Sequence, residues 1–247
     1  AKRLVERAKA AQCSALVLTL DLQILGQRHA DIRNGLSIPL KIKLSNLFDL
    51  LSKPSWCYQM ARTKNRTFGN VMGHVKDITN LNSLTKWVQD QFDTRLNWDD
   101  VKRIKDWWGG KLIIKGIMDP DDAKMAQKCG ADALVVSNHG GRQLDGVNSS
   151  ISTLPEIKKA VSNMEVLMDG GISSGQDILK AIAMGAEGVM IGRSFVYGLS
   201  AGGKEGVTKS LEILNKELDM TMALCGRRDI KDVGRDIIKD CPFFEKN

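Results

Sequence analysis

The chain has 247 residues, 43% of them hydrophobic and 26% charged, which suffices for a full-sized core and excludes a repeat polymer or a disordered segment. The net charge is +7, and most of it falls between Leu40 and Ile78, where seven cations (Lys41, Lys43, Lys53, Arg62, Lys64, Arg66, Lys76) face two acids (Asp49, Asp77). No apolar run reaches the roughly 18 residues of a spanning helix, and five cysteines without C-x-x-C or other metal spacing predict neither a metal centre nor a disulfide framework, with a reducing compartment as the default.

The opening "AKRLVERAKAAQCSALVLTLD" has no initiator Met and no visible signal peptide; it starts inside an amphipathic helix and runs into a strand at 15–21, so the chain reads as truncated. The pattern then breaks between Arg33 and Trp98, far beyond the usual βα connection of about 2–6 residues. Residues 37–95 are expected to be a long basic and apolar loop insertion. Within it "LSNLFDLLSKPSWCYQMA" carries Leu, Phe and Trp between lysines, which fits a membrane surface; no nucleic-acid motif accompanies it, and a solvated basic face is the plainer alternative.

Next, "DDVKRIKDWW" predicts a helix, followed by strands at 111–117, 133–139, 165–171 and 188–194 with room for one helix between each pair. These runs, like 15–21, are continuously apolar and are expected to be buried. "DDAKMAQKCGADALVVS" and "DILKAIAMGAEGVMIG" repeat one unit, a helix ended by Gly and feeding a strand. "VTKSLEILNKELDMTMALCG" predicts a last amphipathic helix capped by Gly226.

Such alternation means parallel βα units, in an open sheet or a barrel. Polar residues close successive strands at one end: Thr19 and Asp21, Lys115, Ser137 and His139, Asp169, then Gly192 and Arg193. That distribution predicts an α/β fold of the (β/α)8 TIM-barrel type, with 1–247 as a single barrel domain and about three strands upstream of residue 1.

His139 follows a strand in "VVSNHGGRQLDG", where it suits a general base, although a lone His is more often a satisfied core residue. Arg142, three residues on, offers a planar fork for a carboxylate. Asp21 suits an orienting partner for His139, against the plainer reading of a turn cap. Lys115 needs an anion or an electron-rich ring, or else forms a Schiff base. "MDGGISSGQD" and "IGRS" have the glycines and the cation of phosphate loops.

In this order, "LTLD...LGQRHADIRNG", "LIIKGI", "SNHGGRQLDG", "DGGISSGQD" and "IGRS" make the chain resemble the FMN-dependent 2-hydroxy acid dehydrogenases and oxidases, whose fold is a (β/α)8 barrel. The resemblance implies FMN as cofactor, His139 as the base and Asp21 as its partner. It implies Arg142 as the main carboxylate anchor, with Arg28 as a second cation. Thr19, Lys115 and Ser137 match flavin-ring positions; Asp169, Gly170, Gly171, Ile172, Ser173, Gly192 and Arg193 match the ribityl and phosphate loops. Ser173 stands where the family usually has Arg, and the family's tyrosines and Gly-rich flavin segment belong to the part expected upstream of residue 1.

The insertion is similar to that of the membrane-associated lactate and mandelate dehydrogenases. This implies a small L-2-hydroxy carboxylate as substrate, a quinone as electron acceptor, peripheral contact through 37–95 at the cytoplasmic face of the inner membrane, no nucleic acid, and a homotetramer. The alternatives are a soluble, cytoplasmic oxidase using O₂, a non-catalytic flavin- or phosphate-binding barrel remnant, and a Schiff-base barrel built on Lys115.

Overall fold

The computed structural model describes residues 1–24, 26, 28–35, 43–63 and 92–239. The chain divides into two compact units, one of residues 1–23 with 95–247 and one of 24–94.

In the larger unit five strands form one parallel sheet in the order β1 (Ala15–Thr19), β2 (Lys111–Ile117), β3 (Ala133–Val136), β4 (Glu165–Met168), β5 (Gly188–Val189). Each strand pairs with its successor in sequence, and the order never reverses. An open doubly wound sheet would reverse at a switch point, so this is the wall of a (β/α)8 barrel, with five of eight strands among the described residues. Helix α1 (Lys2–Ala10) precedes β1, and α5 (Trp98–Trp108) leads into β2. Helices α6 (Pro120–Lys128), α7 (Ser150–Ala160) and α8 (Gly175–Ala183) make the following crossovers, and α9 (Arg193–Leu224) follows β5.

Local chemistry explains the boundaries. Asn97 and Asp119 cap α5 and α6, each accepting two backbone N–H bonds in the first turn, and Pro120 supplies a preset φ at the start of α6. The glycines expected to end the repeat helices, Gly130 and Gly185, both have positive φ. Leu112, Ile114 and Ile117 of β2 pack with Val101, Ile104 and Trp108 of α5 and Ala123 and Ala126 of α6 in one buried cluster that continues through Leu134, Ile157 and Val166.

Two expectations are corrected. The run 15–21 is not fully buried: β1 lies at one end of the described sheet, and Val17 is 46% exposed. The run 188–194 is a strand only over Gly188–Val189, and α9 opens at Arg193 after Met190, Ile191 and Gly192.

In the smaller unit the pattern reading expected a loop, and the described residues hold three helices: α2 (His29–Arg33), α3 (Leu44–Leu51) and α4 (Pro54–Arg62). Pro54 at the first position of α4 supplies the preset φ of a helix start. Leu44, Leu47, Phe48 and Leu51 form an i, i+3, i+4, i+7 stripe on α3, and all four are exposed, at 49–72%. Lys41, Lys64, Arg66, Lys76 and Asp77 of the basic segment lie outside the described residues.

Candidate active site

Past β1 the chain stays on the sheet for one more bond, from Leu20 N–H to the Lys115 carbonyl, and then delivers Asp21 beside Gly116. The register of β2 against β3 shifts between Lys115 and Ile117, so Gly116 is a bulge, and its φ of +97° favours glycine. A Cβ built there would lie 2.7 Å from Asp21 Cγ. The missing side chain at 116 is therefore the space that Asp21 occupies.

Both Asp21 carboxylate oxygens lie 3.3 Å from His139 Nδ1, with the His and Asp side chains only 22% and 16% exposed. That contact turns Nδ1 inward and leaves Nε2 as the nitrogen able to meet a ligand. His139 itself has φ +56°, a left-handed conformation costly for a residue with a Cβ. It opens a single 3₁₀ turn, His139–Gly141, directly after β3, and its N–H donates to Ser137 Oγ at 3.1 Å.

Ser137 is fully buried, and its hydroxyl also accepts from Lys115 Nζ at 2.8 Å. Lys115 meets the anion that its position demanded: its Nζ is 2.9 Å from Asp169 Oδ2. Its ammonium is thus held between the Ser137 hydroxyl and the Asp169 carboxylate. The other oxygen, Asp169 Oδ1, is buried and has no hydrogen-bond partner among the described residues. A buried carboxylate oxygen so placed is able to accept from a donor on a ligand or a water.

Beside this cluster lies a cleft of about 500 Å³, lined by Gly140, Gly170, Gly171, Asp177, Lys180 and Arg193 among others. Gly170 has φ +90°, and a Cβ there would crowd Ser150 Oγ at 3.0 Å and Asn138 Oδ1 at 3.3 Å, so the backbone comes close only because the residue is Gly. Gly192 is the N-cap of α9, and Arg193 Nη2 would lie 3.3 Å from a Cβ on Gly140. Ile172 is buried, and its carbonyl accepts from Ser194 Oγ at 3.2 Å.

Ser173 takes no free place in the cleft. Its N–H and Oγ, with those of Ser174, all donate to Asp177 Oδ2 at 2.9–3.0 Å, closing the capping box of α8. Burial works against the ionised Asp177, but these four donors outweigh it and hold its carboxyl below the ordinary value. Thr19 pairs in register with Lys115. Arg142 closes the 3₁₀ turn and is exposed. Arg28 belongs to the smaller unit, as the N-cap of α2.

Four contributors were missed from sequence. Gly116 carried a signal, since Gly inside a strand pattern marks a bulge. Asn138 carried a weaker one, as an Asn heading a glycine turn. Asp177 and Lys180 on α8 carried none, because their place in the cleft depends on how α8 sits against the sheet.

The family described as FMN-dependent dehydrogenase matches residues 1–240. The L-lactate dehydrogenases of Actinobacillus pleuropneumoniae serotype 5b (strain L20) and Haemophilus influenzae (strain PittEE) are each 42% identical over 241 residues, 97% of this chain and 63% of those proteins. The crystal structure of the monotopic membrane protein (S)-mandelate dehydrogenase superposes with a TM-score of 0.90 at 32% identity, covering 97% of this chain and 63% of that one. A mandelate oxidase structure does so with a TM-score of 0.71 at 33% identity, covering 95% and 58%. The chain thus spans about 63% of the length of the curated relatives it matches.

Proposed function

The chain belongs to the FMN-dependent dehydrogenase family, and from that premise we propose that it oxidises a small L-2-hydroxy acid of the lactate or mandelate type to the 2-oxo acid, with His139 as base. The observation that carries this reading is the Asp21–His139 pair at 3.3 Å, at the C-terminal ends of strands β1 and β3, where a barrel assembles its site.

The residues fit FMN. The unpartnered Asp169 Oδ1 suits a ribityl hydroxyl, and the Gly170–Gly171 cradle with Arg193 and Lys180 suits a phosphate. Ile172 and Ser173 hold the shape of that loop, and Gly192 starts the helix that carries Arg193. With Thr19 and Ser137, Lys115 would bind along the ring, its charge held by Asp169. Bound FMN supplies a two-electron acceptor, which the protein alone lacks.

His139 Nε2 takes the substrate proton, while Asp21 fixes the tautomer and stabilises the imidazolium. Arg142 anchors the substrate carboxylate through paired N–H bonds. The Schiff-base alternative loses ground, because Lys115 is committed to Asp169 and Ser137.

His139→Gln is expected to leave FMN bound and to abolish reduction of its absorbance by lactate or mandelate; an unchanged reduction rate would sink the assignment. Colourless purified protein that takes up no FMN would favour a non-catalytic remnant.

Electrons then pass to a membrane quinone. The exposed stripe of α3, with Lys43 and Lys53 at its ends and Arg62 on α4, supports peripheral contact through 37–95, on the cytoplasmic face of the inner membrane. Likeness to a mandelate oxidase favours a second reading, in which O₂ is the acceptor. Peroxide yield measured against quinone reduction separates the two.

A further inference from the structure

We propose that Asn138 is the positioning residue of this turn: its side-chain amide holds His139 in the left-handed conformation that presents Nδ1 to Asp21, and ties the turn to the backbone at Asn148, beside Gly170. The proposal rests on the reading of His139 as base only for its kinetic consequence.

The amide is fixed at both ends. Asn138 Oδ1 accepts from Gly140 N–H at 2.9 Å and Gly141 N–H at 3.3 Å, and Nδ2 donates to the Asn148 carbonyl at 3.2 Å. Two donors on one side and an acceptor on the other leave a single sensible orientation of the amide. Its backbone N–H reaches Ser150 Oγ at 3.4 Å, so residue 138 is also tied to the start of α7.

Three consecutive residues, His139, Gly140 and Gly141, have positive φ. A tripeptide left to itself has no reason to stay there once a His with a Cβ is included. Gathering the two glycine N–H groups onto one oxygen supplies the reason. The same oxygen is one of the two atoms that a Cβ at Gly170 would strike. The base and the phosphate loop are therefore built against one side chain, which also lines the cleft.

Asp at 138 would keep the acceptor for both glycine amides and set its second oxygen against the Asn148 carbonyl in place of the donor. Leu would keep the volume and lose everything polar, leaving two N–H groups unmade.

The test uses the 247-residue chain in two steps. By amide hydrogen exchange without cofactor, Asn138→Leu should expose Gly140 and Gly141 at least about tenfold, as expected for a lost hydrogen bond, while Asn138→Asp keeps them protected. A crystal structure of Asn138→Leu should place the imidazole away from Asp21. In flavin-loaded protein Asn138→Leu should slow flavin reduction about 100-fold with little change in KM, as small misplacements of reacting groups do, and Asn138→Asp should recover most of it.

Retained protection in Asn138→Leu or an imidazole still against Asp21 would overturn the proposal. If the parent chain never reduces flavin, the functional reading fails, and exchange with the crystal structure still decides the positioning claim.

Discussion

At residue 116 a single hydrogen stands where any other residue would push a carbon to within 2.7 Å of Asp21 Cγ. Gly116→Ala combines that clash with an L side chain at φ +97°, and is expected to cost about 1–3 kcal/mol of stability. Urea unfolding checks this figure. The same variant should also slow flavin reduction, because Asp21 must leave His139; a normal rate in a folded variant would remove Asp21 from the mechanism. Arg142→Lys replaces a fork with a point charge and should lower kcat/KM for the hydroxy acid roughly 10- to 100-fold through weaker carboxylate binding, measured in steady state. The motif residues were legible individually, since His, Arg and Asp at strand ends are conspicuous. What escaped was the packing that lets them meet, at Gly116 and Asn138.

At the scale of elements, the start of α8 concentrates the most interaction. Asp177 takes four donors from Ser173 and Ser174, Glu217 of α9 accepts from Gly175 N–H at 2.9 Å, and a Cβ at Gly175 would meet the α9 backbone. Because the Asp177 carboxyl is depressed from its ordinary 3.8, its contribution is present above that pH and lost as pH falls through the lower folded value. Asp132, held below 3.8 by Lys105 and Leu112 N–H against the effect of burial, acts with the same sign. Asp122, raised by burial and by its neighbours Asp119 and Asp121, acts with the opposite sign. The urea midpoint should therefore fall between pH 5 and pH 3, and Asp177→Asn should flatten that fall; an identical pH profile in the variant would remove Asp177 as its source.

The two repeat units also share a device that spacing alone did not reveal. Asp132, two residues after Gly130, accepts from Leu112 N–H at 2.8 Å, and Glu187, two residues after Gly185, accepts from Val166 N–H at 2.7 Å. Each acid pins the start of its own strand to a neighbouring one, at the end of the sheet opposite the site. Helix and strand order was readable because periodicity, caps and glycine stops act over a few residues. The early end of β5 was not, because Met190 and Ile191 continue the apolar run beyond the strand.

For the whole molecule, the outward apolar stripe of α3 and the basic residues beside it predict attraction to an anionic bilayer. No helix among the described residues is long and apolar enough to cross a membrane. Co-sedimentation with phosphatidylglycerol vesicles should fall with added salt and should be lost when Leu47 and Phe48 are both replaced by Ser; binding unaffected by either change would dismiss the surface reading.

The sequence by itself determined the βα alternation, the direction of the strands and the motif that names the chemistry, because each depends on residues within one or two turns of each other. Only tertiary structure decided that Asp21 meets His139 across 118 positions of chain, that Lys115 pairs with Asp169, and that Ser173 joins the cap of α8 through Asp177. Those outcomes depend on which strands lie side by side and on how much room a missing side chain leaves, and neither quantity is local.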